Sequence, residues 1–237
     1  MTHGWHKSVI AGAGLAAFLL TAGVCPARSK NNKEHLSLSQ ILSRMNESAK
    51  HLKTVSADLE YTKVTVLVND KSTETGQIYF RNSRSPEILI DFNNPDSKVI
   101  LFKKDKAEMY LPKINQIQEW NLSKHATLIQ KFLLLGFGTD TKELEKTYTM
   151  KYLQEEQLGN DTTVLLELIP RKESVAAQLT KVHLWVSEES WLPLQQKFFE
   201  ANGDYSIARY SSVKVNRYIP SSKFRINAAK NATRITM

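Results

Sequence analysis

The sequence predicts an α+β fold: a large curved antiparallel sheet forming an unclosed β-barrel (half-barrel), with helices covering its concave apolar face. Three observations carry that expectation. Apolar residues alternate with polar ones at period two through most of the chain from Thr54 onward, the mark of strands with one buried face. Polar turns such as Leu158-Gly159-Asn160-Asp161 and Asn202-Gly203 separate these runs, as hairpins between antiparallel neighbours require. Helical spacing is confined to a few stretches, so the sheet must curl to shelter its apolar side.

The opening residues do not share this pattern. His3, His6 and Lys7 precede an apolar run, Val9 to Val24, and then a Cys25-Pro26-Ala27 exit. That reads as a secretory signal peptide at 1–27, too short and wrongly flanked for a stable membrane span. Cleavage after Ala27 leaves 28–237 as a single domain with a sizeable core. Cys25 raises the alternative of a lipid anchor, but Val24 and Ala22 stand where a lipoprotein signal carries a small residue and a leucine. The chain's single cysteine leaves with the signal, so the exported domain stands on its core without a disulfide. The signal implies export across a membrane into an oxidising compartment.

Charge narrows the partners. The formal net charge is +8, concentrated from Lys197 to Met237 and in a cluster of Lys98, Lys103, Lys104, Lys106 and Lys113. In an exported protein such patches favour an anionic membrane surface or an acidic partner over nucleic acid.

In chain order, Ser37-Leu38-Ser39-Gln40 has the form of a capping box. Leu38, Ile41, Leu42, Met45, Ala49 and Leu52 follow at helical spacing, with Arg44, Glu47 and Lys50 opposite. At Thr54 the period changes to two: Val55, Ala57, Leu59 and Tyr61, then Val64, Val66 and Val68 on the other parity. The switch predicts a bulge or bend near Lys63. Gly76 to Pro95 reads as a hairpin, with Ile78 and Phe80 on one strand and Ile88, Ile90 and Phe92 on the other, around a turn at Asn82–Pro86. Counting by twos from Ile78 and Phe80 brings Arg84 onto the apolar face, where a cation needs acceptors; Arg81, of opposite parity, is the rival.

Further strands follow at Lys98–Phe102, Ala107–Leu111 and Ile114–Leu122. Leu128, Ile129, Phe132, Leu133, Leu134, Leu135 and Phe137 then crowd together before Gly136 and Gly138, which are helix-stop signals. This stretch is too apolar for a surface helix and reads as a buried helix or as a cover over an apolar space. A short helical piece at Lys142–Lys146 is followed by strands at Met150–Gln154, Val164–Ile169, Val182–Val186, Gln195–Glu200 and Tyr205–Asn216. By alternation the concavity is lined by Leu59, Tyr61, Ile78, Phe80, Ile88, Ile90 and Phe92.

Catalytic signals are absent. His35, His51, His125 and His183 have no ligand spacing and no cysteine to complete a zinc site. There is no nucleophile elbow, phosphate loop or dinucleotide fingerprint. The adjacent pairs Glu155-Glu156 and Glu188-Glu189 point apart in a strand or turn and read as solvated charge. The chain is expected to be no enzyme, with no metal and no cofactor.

Residues Ile41 to Phe224 resemble the periplasmic outer-membrane lipoprotein carriers, the LolA-like family. The shared pattern runs from the helix through Val55-x-Ala57-x-Leu59 and Gly76-x-Ile78-x-Phe80 to a basic residue and Pro86. It continues with Ile88-x-Ile90-x-Phe92, Pro95, the turn at Asp105-Lys106 and Leu134-Leu135-Gly136. Late matches are Leu168-x-Pro170-Arg171, Leu184-Trp185-Val186, Leu192-Pro193, Asn202-Gly203 and Ile219-Pro220 with Phe224. In the family the arginine directly precedes the proline; here Ser85 intervenes, and Arg84 is the best match. The resemblance implies a monomeric carrier that takes acylated lipoproteins from an inner-membrane release transporter and passes them to an outer-membrane acceptor. Leu128, Ile129, Phe132, Leu133 and Phe137 would form its lid, and Arg84 the latch on that lid. Because the family also includes sensors and carriers of other envelope lipids, a lipid or lipoprotein sensor is the alternative.

Overall fold

The computed structural model describes residues 36–121, 135–138 and 140–237. The expected signal peptide at 1–27 and the lid residues Leu128, Ile129, Phe132 and Leu133 lie outside the described residues. Helix α1 (Leu38–His51) begins at the expected capping box. Ser37 Oγ accepts from the Gln40 amide at 3.3 Å, and Gln40 Oε1 accepts from the Ser37 amide at 2.8 Å. Its buried stripe is Ile41, Leu42, Met45 and Ala49, while Arg44, Glu47 and Lys50 are exposed.

The strands follow as β1 (Thr54–Thr65), β2 (Asp70–Arg81), β3 (Glu87–Asn94), β4 (Lys98–Lys103), β5 (Lys106–Leu111) and β6 (Gln116–Asn121). Helix α2 (Thr141–Thr147) precedes β7 (Tyr148–Leu158) and β8 (Asp161–Pro170), and α3 (Glu173–Ala176) precedes β9 (Leu179–Ser187). The last strands are β10 (Pro193–Glu200), β11 (Tyr205–Val215) and β12 (Thr233–Thr236). All twelve form one sheet in the order β12-β6-β5-β4-β3-β2-β1-β11-β10-β9-β8-β7. Two up-and-down meanders, β1–β6 and β7–β11, are joined where β1 pairs with β11. The pairing of β12 with β6 is parallel and makes the sheet mixed. The strands at the two ends do not pair, so the sheet is an unclosed half-barrel.

Three local expectations are corrected. No bulge falls at Lys63: the β1–β2 ladder is continuous from Thr54–Arg81 to Thr65–Asp70, and the irregularity in β1 lies against β11, between Ser56 and Asp58. Val66–Val68 is a 3-10 turn at the hairpin tip, not strand; its valine spacing imitates the strand period. Likewise Ile114 belongs to a 3-10 turn, Pro112–Ile114, and β6 starts at Gln116. Helix α3 and strand β12, four residues each, have no counterpart in the sequence pattern.

The concave face carries two packed clusters. Over the second meander, α1 sets Ile41, Leu42 and Met45 against Val164, Leu166, Leu168, Val182 and Leu184. Over the first meander, Leu52, Val55, Ile78, Phe80, Ile88, Ile90 and Phe92 pack with Phe137 and Leu192. The convex side of β3–β4 is covered by the chain's own C-terminal segment, whose Ile219 and Phe224 bury Leu89 and Leu101. Arg81 stacks on Phe224 at 4.4 Å and pairs with Glu87 at 2.5 Å on this outer side, as its parity requires.

Candidate functional site: a concave apolar cleft

Cross-strand register lays apolar rows over the inner face. One runs Phe102, Ile88, Phe80, Val55; the next runs Ile100, Ile90, Ile78, Ala57. A third places Phe92 opposite Gly76 and Gly76 opposite Leu59. Only glycine fits there: a Cβ on residue 76 would lie 2.1 Å from the Asp91 carbonyl oxygen.

A cleft of about 470 Å³ opens above these rows, within the range of small-ligand sites. Leu59, Tyr61, Ile90, Phe92, Ile100 and Phe102 line it from the first meander, and Leu179, Phe198 and Ala208 from the second. Of the expected lining set, Leu59, Tyr61, Ile90 and Phe92 reach the cleft. Ile78, Phe80 and Ile88 share the face but are buried beside it, because Leu52 and Phe137 cover that end of the sheet. Among the described residues, charge enters the lining at the polar end. Lys98 Nζ is 2.6 Å from Glu74 and stands 4.8 Å from the Phe92 ring centre; Glu200 and Gln178 lie on the same rim.

The covered end is held by a polar device that the sequence pattern did not reveal. Gln196, fully buried on the Phe198 side of β10, donates from Nε2 to the Leu135 carbonyl at 2.7 Å. Its Oε1 accepts from Tyr210 Oη at 3.0 Å. Burial and the neighbouring Tyr61 push the Tyr210 phenol well above its ordinary pKa, so it stays a neutral donor. Tyr210 also meets Phe137 edge-on at 5.0 Å. Gly136 and Gly138 take φ of +87° and +65°, which lets residues 135–138 turn within this space. The clue was parity: Gln196 sits two residues from Phe198 on an otherwise apolar face.

Arg84 does not share this face. Strand β2 ends at Arg81, so alternation cannot be extended to residue 84, and Arg84 stands exposed in the following bend. From the same turn Asn82 donates to the Leu52 carbonyl at 3.0 Å, and its Nδ2 lies 3.5 Å from where a Cβ on Gly138 would stand. Among the described residues no group of His, Cys, Asp and Glu could hold a metal ion, and no helix is long and apolar enough to cross a membrane. What this arrangement offers is an apolar enclosure with a charged rim, suited to binding a lipid-like group.

No curated protein matches the sequence. Among solved structures, an uncharacterized conserved protein from Thermus thermophilus is similar at TM-score 0.55 and 12% identity, over 85% of this chain and 100% of that one. MucB is similar at TM-score 0.52 and 13% identity over 80% of this chain. The match covers 62% of the MucB chain, less than two thirds of its length. A LolA superfamily protein from Nitrosomonas europaea matches at TM-score 0.40 and 15% identity, over 81% of this chain and 99% of that one. The first two likenesses, at 12% and 13% identity, concern fold, not function. A family model covers more than half of the sequence, residues 87–233, and this chain belongs to the family it describes, "-like: Uncharacterized protein".

Proposed function

We propose that this protein holds the acyl chains of lipoproteins in the concave cleft and carries them across the periplasm, from an inner-membrane release transporter to an outer-membrane acceptor. The observation that carries this reading is the cleft itself, where Leu59, Ile90, Phe92 and Ile100 line an apolar space whose described charges stand on the rim. Each buried methylene contributes about 0.8 kcal/mol, so a ~16-carbon chain in water costs on the order of 10 kcal/mol, and acylated cargo needs an escort. In this reading the 128–137 segment is the cover that cargo displaces. Its last part is the described end held by Gln196 and Tyr210. The latch role falls to Arg84, which stands exposed in the turn that also carries Asn82 and has to swing inward to hold the closed state.

An environment-sensitive apolar dye should bind the protein and be displaced by a diacylated peptide. Phe92→Glu, checked for an intact fold by its cooperative melt, should abolish dye binding. Unchanged binding in that folded variant would sink the assignment of the cleft. The latch is tested separately: Arg84→Leu should retain acylated cargo longer during handover to an acceptor, and wild-type handover would leave Arg84 a turn residue.

A further inference from the structure

Large aliphatic side chains stand in water at two hairpin tips. Val66, Leu67 and Val68 are 52%, 94% and 67% exposed at the β1–β2 tip, and Ile114 is 61% exposed at the β5–β6 tip. The two tips have the same construction. Each is a 3-10 turn closed by a left-handed asparagine, Asn69 at φ +51° and Asn115 at φ +47°. Each is also fastened from behind. The Val66 amide donates to Asp204 at 2.9 Å, and Asn202 Nδ2 donates to the same carboxylate at 2.9 Å. Asn115 accepts from the Tyr110 hydroxyl at 3.3 Å and donates to Asn231 at 3.1 Å. The apolar groups are therefore presented by rigid mounts.

Strands β1 and β5 run in the same direction, because each neighbour between them is antiparallel. Both tips thus project from one edge of the sheet. That edge also carries the polar end of the cleft: Glu74 faces Tyr61 near the end of β1, Lys98 opens β4 and Glu200 closes β10. Exposed Lys63, Lys71 and Lys113 flank the tips.

We propose that this edge docks on a lipid bilayer, with Val66–Val68 and Ile114 entering the boundary between headgroups and acyl chains. A protein partner would need a broad complementary patch, about 800 Å² on each side, with aromatic or arginine anchors at its centre. Narrow convex tips whose apolar groups are all aliphatic do not form such a patch. A bilayer accepts them without shape matching to a depth of about 5–10 Å, and the flanking lysines can reach back to the headgroups. Docking in this pose turns the polar end of the cleft toward the membrane. The docking stands on the tips alone, whereas passage of an acyl chain from bilayer to cleft rests on the function proposed above.

The test places a photoreactive diazirine residue at Leu67, Ile114 or Leu153 of the full chain, in vesicles of phosphatidylethanolamine and phosphatidylglycerol. Leu153 is the control, 43% exposed on β7 and away from the tips. Since the apolar run at 9–24 can tether the full chain to vesicles, the readout is the yield of lipid adduct at each site. At least tenfold more adduct at 67 and 114 than at 153 is expected; equal yields at all three overturn the proposal. Leu67→Asp should reduce adducts at 114 about tenfold, and an unchanged yield overturns docking through two points. Capture of a protein instead of lipid in whole envelopes overturns it in favour of a protein partner. Phe92→Glu separates the two readings: loss of dye binding with tip adducts retained supports both, and retained dye binding with tip adducts present removes the cleft reading alone.

Discussion

At the scale of single residues, Gln196 fixes the covered end of the cleft with two hydrogen bonds in a dry setting. Gln196→Leu preserves bulk but removes the bond to the Leu135 carbonyl and the acceptor of the buried Tyr210 hydroxyl, so a loss of about 1–3 kcal/mol is expected in urea unfolding. Tyr210→Phe removes only the donor to Gln196 and should cost about 1 kcal/mol. Glu87 poses a question of pH. Burial works to raise its pKa, but hydrogen bonds from Lys103 and Arg81 outweigh that and hold the carboxyl below its ordinary value. A carboxyl depressed in the folded state contributes stability above its unfolded pKa, about 4.3, and loses it as pH falls through the folded value. Wild type should therefore lose stability more steeply than Glu87→Gln in melts carried from pH 7 into the acid range. At pH 7 Glu87→Gln should be the less stable by about 1–3 kcal/mol. A parallel pair of curves would deny Glu87 this role.

At the scale of elements, the C-terminal segment takes the place of a second layer on the convex side. Phe224 is 1% exposed among Leu89, Leu101 and Ile219. Phe224→Ala should cost about 3–5 kcal/mol. Hydrogen exchange should then rise in β12 and in residues 217–232 before it rises in the β1–β2 pair; uniform acceleration would mean that the segment is not a separate cooperative unit. This element was the least legible in the sequence. Residues of a strap alternate with no face, and β12 is exposed throughout, so period two has nothing to report. The long strands were legible because one side of each is dry. Alternation failed where it was extended beyond a strand: Val66 and Val68 kept the spacing in a turn, and the count to Arg84 ran past the end of β2.

At the scale of the molecule, the apolar face is split into a packed part and an open part, and the boundary was invisible to pattern. Phe80 and Phe92 read alike in sequence, yet the first lies beneath Leu52 and Phe137 and the second lines the cleft. What separates them is the inner segment tied down by Gln196, whose partners are distant along the chain. A ligand that binds only the folded state adds stability by mass action, about 2.7 kcal/mol at 100 times its Kd. A soluble acyl ligand at that level should raise the melting temperature of wild type and leave Phe92→Glu unchanged. An equal rise in both would place the ligand outside the cleft.

The join of β1 to β11 has a kinetic consequence. It lies in the middle of the sheet, yet it pairs Val55 with Val215, while the meanders on either side consist of neighbours in sequence. Local hairpins close quickly, whereas long-range contacts wait on loop closure, so the seam should be the last and slowest step of folding. Until then each meander carries a bare inner edge, β1 on one and β11 on the other, the kind of edge that templates pairing with a stray chain. Aggregation during refolding should thus depend on how long the two halves remain apart.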